Sequence, residues 1–191
     1  TEREHLLIGV DVLAIAAGER AGSEDAVGVR DREQGVRGRH ELRVQLAAAY
    51  RLVEHFGWTE LIYGHLTARV PGPDPHFLIN PYGLSYDEVT AANLVKIDLD
   101  GNVVDDSNYP VNYAGFVIHS AIHMANSAEH KVVMHTHTRA GMAVCALKGG
   151  LVPISMVATA FHGRLSYQDY EGPSLDLQER VVEINRVTKV V

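Results

Sequence analysis

The 191-residue sequence has a single cysteine, Cys145, so no disulfide can form within the chain. That excludes a small secreted scaffold held by disulfides. Cys145 lies in the apolar run "GMAVCAL", which shows no base or positive charge poised to lower its pKa. It is read as a buried, inert thiol. Long hydrophobic runs are also missing. The longest candidate, "LLIGVDVLAIAA" from Leu6 to Ala17, contains Asp11 and falls short of the ~20 apolar residues that a bilayer crossing needs. A weak basic start and a charge within its apolar core argue against a signal peptide as well. Basic residues are in deficit, 17 against 24 acidic, for a net charge of -7. Such a balance repels phosphates, which argues against a general nucleic-acid binder. A cytoplasmic protein with no nucleic-acid partner and no membrane span is expected.

What is present suits one folded domain. Hydrophobic residues make up 46% of the chain, enough for a core at this length. The first residue is Thr rather than Met, consistent with a trimmed or partial chain. Residues 18–39 carry five basic and five acidic residues and little apolar content, so residues 1–39 are expected to form a loosely ordered arm. The folded unit should begin near His40. "ELRVQLAAAYRLVEHFGW" places Leu42, Leu46, Ala49, Val53 and Phe56 at helical spacing, with Gly57 as a stop. "ELIYGHLTARV" and "HFLIN" read as strands joined by the turn "PGPDP". Thr90 can cap one helical turn over "TAANL", and Asp100-Gly101 marks a hairpin within "VKIDLDGNVVD". "NYAGFVIHSAIHMAN" reads as a helix, "KVVMHTH" as a strand, "TRAGMAVCALKGG" as a helix and "LVPISMV" as a short strand. Interleaved strands and helices with hairpin signals point to an α/β fold whose sheet is at least partly antiparallel.

The chemistry concentrates in "VVMHTHTRAG". Residues i and i+2 of a strand share a face, so His135 and His137 project to one side and Thr136 to the other. Two imidazoles near a strand end can reach one cation, and imidazole suits zinc and similar metals. A zinc site needs at least one more protein ligand. The other reading of the pair is a partly exposed strand end whose histidines bond to backbone.

Four stretches in this order, "GWTELIYGHLTARV", "FLINPYGLSYDEVTAANLVKIDLDGNVVD", "VNYAGFVIHSAIHMAN" and "VVMHTHTRAGMAVCALKGGLVPIS", resemble the class II aldolase/adducin N-terminal domain family, and within it the adducin-type branch. The resemblance covers roughly residues 40–175, and the tail beyond about 175 is atypical of it. It implies a three-layer α/β/α sandwich around a mixed, largely antiparallel sheet, here expected to be incomplete at the C-terminal end. It implies a divalent, zinc-like cation held by three histidines, of which the first two map onto His135 and His137. The third is expected in a His-Gly motif beyond Val191. It also implies small-molecule substrates of lyase or epimerase chemistry and a homo-oligomer, a tetramer in many members.

Departures from the aldolases accompany the resemblance. Their acid/base glutamate aligns with Gly115, which cannot transfer a proton. Their phosphate-binding positions align with Gly64, His65, Tyr82, Gly83, Tyr113 and Ala114. Of these, Gly64, His65, Tyr82 and Gly83 are retained as substrate-binding candidates. The substrate is expected to be a small hydroxy-carbonyl compound without a phosphate. His162 carries a His-Gly dipeptide but comes too early to be the third ligand. His119 and His123 stand four apart on one helical face and are read as packing against the site rather than ligating. Tyr167, Asp169 and Tyr170 belong to a loop expected near the site, with no assigned role. The other reading is a non-catalytic scaffold head of the adducin type, cytoskeletal or actin-associated.

Overall fold

A computed structural model describes residues 11–16, 30–125, 130–162 and 165. Strand β1 (Asp11–Ala16) and helix α1 (Arg30–His55) open the chain. They are followed by β2 (His65–Arg69), β3 (Phe77–Ile79), β4 (Val95–Ile97), α2 (Tyr113–Ala125), β5 (His130–Thr136), α3 (Arg139–Cys145) and α4 (Met156–Thr159). The five strands form one sheet in the order β1-β5-β2-β3-β4. Every ladder among the described residues is antiparallel.

The strand period divides the sheet into two unlike faces. Leu66 and Ala68 of β2 and Leu78 of β3 turn toward α1, where Leu46, Ala47, Tyr50 and Val53 complete a buried apolar cluster. Phe77 and Ile79 of β3, with Val95 and Ile97 of β4, face the other way and pack on Phe116 and Val117 of α2. The result is the expected layering of helix, sheet and helix. The α1 stripe is as expected except for Phe56, which is exposed and stacks on Trp58 with ring centroids 5.1 Å apart. The helix ends as expected. Gly57 adopts φ 65°, its N–H donates to the Glu54 carbonyl at 2.9 Å, and the Trp58 N–H donates to Val53 at 3.0 Å. Only a residue tolerant of the left-handed region closes a helix in this way.

The structure departs from expectation at two places. Within the stretch expected to be a loose arm, β1 pairs with the edge of β5, and α1 starts at Arg30 rather than near His40. An apolar strand finds an unpaired sheet edge, which the local charge pattern does not register. "LVPISMV" is not a strand. Ser155 caps the short α4, its side chain accepting from the Ala158 N–H, and Pro153 lacks the N–H that a ladder requires. The Asp100-Gly101 hairpin is present in reduced form: Ile97 bridges to Val103, and the Val104 N–H donates to the Lys96 carbonyl at 2.9 Å. Cys145 is buried, as expected.

Candidate metal centre

Histidines gather on the α2 side of the sheet. His65 and Thr67 of β2 face that way by alternation. His135 stands directly opposite His65 across the β2–β5 ladder, and His119 and His123 descend from α2. His65, His119, His123 and His135 are all buried. The His65 ring stacks on His119 at 4.9 Å and meets His135 edge-on at 5.0 Å. Gly64 makes the approach of the two strands possible. It has φ 86°, and a Cβ there would lie 2.8 Å from the His135 carbonyl oxygen and 2.9 Å from the Tyr86 hydroxyl.

The expected pair comes together. β5 ends at Thr136, and His137 lies in the short step before α3, whose N-cap Thr138 accepts from the Gly141 N–H. The Nε2 atoms of His135 and His137 are 2.9 Å apart. The two rings share one side, and His137 is tied to a carboxylate rather than to backbone: its Nδ1 lies 2.6 Å from Glu60 Oε2. A carboxylate can only accept, so His137 Nδ1 carries a proton, and in the neutral ring Nε2 is left with a lone pair facing His135. Two imidazole nitrogens this close either share a proton or share a cation. A carboxylate that orients a histidine from behind is a common companion of a metal ligand.

Burial sets the charge state of the cluster. Loss of water lowers His65 to about 4, against the pull of a backbone hydrogen bond to Gly64. It lowers His123 to about 4, opposed by the hydrogen bond to the His130 carbonyl. His119 and His135 are held well below the ordinary histidine value by desolvation first and by neighbouring imidazoles second. Neutral imidazole is the form that ligates a metal.

The remaining candidates are placed as follows. A side chain at Gly115 would put its Cβ 1.5 Å from His65 Nε2, so the His65 ring fills the space where the aldolases' glutamate is expected to start. Gly83 lies in the loop after β3 with φ 97°. Tyr82 is exposed, and its N–H donates to the Pro110 carbonyl at 2.8 Å. Gly64 and His65 therefore join the histidine cluster, while Tyr82 and Gly83 sit in the loop held against the approach to α2. His162 is exposed. Tyr167, Asp169 and Tyr170 lie outside the described residues. Two contributors escaped the sequence reading. Glu60 lies within the family stretch "GWTELIYGHLTARV", but nothing in its spacing points it at His137. Thr67 shows itself only by sharing a strand face with His65.

The sequence profile of the Class II Aldolase and Adducin N-terminal domain matches residues 44–191. This chain belongs to the class II aldolase/adducin family. A candidate class 2 aldolase of Caulobacter vibrioides is 51% identical over 73% of this chain and 54% of its own length. Rat alpha-adducin (Rattus norvegicus) is 49% identical over 76% of this chain and 20% of its own. Among solved structures, an L-fuculose 1-phosphate aldolase of Glaciozyma antarctica superposes with a TM-score of 0.70 at 27% identity, covering 88% of this chain and 65% of that one. The chain thus spans about half the length of its bacterial relative and a fifth of the adducin. The fold is that of the class II aldolases. No helix among the described residues is long and apolar enough to cross a membrane.

Proposed function

We propose that the chain is a divalent-metal-dependent, lyase- or epimerase-like domain acting on a small hydroxy-carbonyl compound that carries no phosphate. The observation that carries this reading is the His135–His137 pair. Its Nε2 atoms face each other at 2.9 Å, and Glu60 is fixed behind His137 at 2.6 Å. His135 and His137 would hold the cation, with zinc the first candidate for an imidazole donor set. A cation bound there supplies a Lewis acid that polarises a carbonyl and stabilises negative charge developing on its oxygen. Glu60 keeps the His137 proton on Nδ1, which leaves Nε2 bare for ligation. The sheet holds both rings on one side, and burial keeps His135 neutral.

The proposal extends to the setting. The family domain proper runs from about residue 40 onward, a boundary supported by the profile match that starts at residue 44, with β1 and the first turns of α1 added in front of it. It works in the cytoplasm as a homo-oligomer, a reading supported by the outward apolar side chains of Ile154, Met156 and Val157. Gly64 and His65 border the substrate, and Tyr82 and Gly83 line its approach.

One observation favours a second reading, a non-catalytic adducin-like scaffold. Gly115 offers no acid, and His65 occupies the space that one would need. Elemental analysis of the purified protein and of His135→Ala separates the two. The enzyme reading expects zinc lost in the variant, together with chelator-sensitive cleavage of small hydroxy-carbonyl compounds. A protein without metal, whose melt chelator does not move, would support the scaffold.

A further inference from the structure

Hydrogen-bond bookkeeping locates the protons on the histidine face. The His130 carbonyl can only accept, and it lies 2.7 Å from His123 Nδ1, so that nitrogen donates. His123 is neutral, and its Nε2 must therefore accept from the Thr67 hydroxyl at 2.8 Å. Thr67 has then used its one proton, and its oxygen accepts from His119 Nδ1 at 2.8 Å. This leaves His119 Nε2 as a bare lone pair. His65 donates to the Gly64 backbone and bares its Nε2 in the same way. With no ion on the outer pair and the His137 ring neutral, His135 Nε2 donates to His137, which bares His135 Nδ1.

His65 Nε2, His119 Nε2 and His135 Nδ1 are each buried with no hydrogen-bond partner among the described residues. The three residues are at most 6% exposed. One ring nitrogen of each lies within 4.8 Å of those of the other two. Bare lone pairs on three buried rings packed so closely repel one another, and among the described residues no hydrogen-bond partner reaches them. Each ring is also braced through its far nitrogen, by Gly64, Thr67 or His137, as metal-binding histidines are.

We propose that His65, His119 and His135 form a second, inner site for a divalent first-row cation, distinct from the His135–His137 pair and alternative to it. Cation binding at the inner site uses the nitrogen of His135 that the outer pair leaves aside. The chain Glu60–His137–His135 then becomes its support. Gly115 is part of the device, because a Cβ there would displace the His65 ring. This assigns His119 to ligation, against the packing role expected from the sequence.

The test titrates cobalt(II), then zinc(II), into the full chain after chelator treatment, and into His119→Gln, His137→Gln and the double variant. Bound metal is read by elemental analysis and the cobalt site by its visible absorption. The inner site predicts stoichiometric cobalt in the wild type and in His137→Gln, whose outer pair is broken, and none in the His119→Gln/His137→Gln double variant. Stoichiometric binding in that double variant, or none in His137→Gln or in the wild type, overturns it. Loss in His137→Gln with retention in His119→Gln also overturns it while leaving the outer pair of the proposed function standing. Should His119→Gln fail to fold, nitrogen-15 spectra of the wild-type imidazoles decide. Zinc must then shift Nε2 of His65 and His119, and a shift confined to His135 and His137 defeats the proposal.

Discussion

The two faces of this sheet share five strands yet are built from opposite chemistry. Toward α1, Leu66, Ala68 and Leu78 meet Leu46, Ala47 and Val53. The polar atoms there close on themselves: the Tyr50 hydroxyl donates to the Leu66 carbonyl at 2.6 Å and accepts from the Leu66 N–H at 2.8 Å. Toward α2, the same strands present His65, Thr67 and His135 to His119 and His123, and three ring nitrogens have no partner among the described residues. One side is finished as a core. The other keeps unsatisfied lone pairs inside the fold, and a group of that kind left buried costs about 1–3 kcal/mol. Toward α1 the sheet is core throughout; toward α2 the apolar cluster of β3 and β4 gives way to chemistry at β2 and β5.

Acid should separate the faces most strongly. His65 and His123 sit at about 4 in the fold against ~6.5 in an unfolded chain. The unfolded chain therefore takes up protons first as pH falls. The stability is intact above about pH 6.5 and drains as pH drops toward 4, by roughly 3 kcal/mol for each of the two residues. Urea unfolding at a series of pH values measures it, and a flat profile from 7.5 to 4.5 would erase the distinction. Next in size is Leu78→Ala on the α1 side, which should cost about 2–5 kcal/mol. The penalty should be equal at pH 5 and pH 7.5, because the titratable groups of that cluster, Tyr50 and Tyr86, are raised by burial and stay protonated at both. Gly115→Ala should destabilise by about 1–3 kcal/mol through overpacking, with imidazole resonances of His65 shifted and those of His123 unmoved. The smallest effect belongs to the rim of the α1 face. There Arg43 contacts Asp105 at 2.8 Å and donates to the Leu94 carbonyl at 2.7 Å. The pair is partly exposed, so Arg43→Met should cost about 1 kcal/mol or less by thermal melt.

Much of this was legible in the residues. The periodicity of α1 and α2, the stop at Gly57 and the shared side of His135 and His137 are local properties, carried by spacing. What could not be read depends on which strands become neighbours. β5 lies between β1 and β2, and only that order sets His65 opposite His135 and brings Glu60 to His137. Alternation shows that His65 and Thr67 share a face, but not that the face carries α2. β1 was missed because its partner is the far edge of β5, and α4 because a single serine cap outweighed an apolar run.

The collision between residues 65 and 115 has a bearing on descent. The His65 ring stands where a Gly115 side chain would have to begin, so a side chain at 115 requires that ring to turn aside or shrink. A carboxylate on the helix at 115 and the present pose of the imidazole exclude each other. Any evolutionary route between this cleft and one bearing the aldolases' glutamate therefore has to move residues 65 and 115 as a coupled pair.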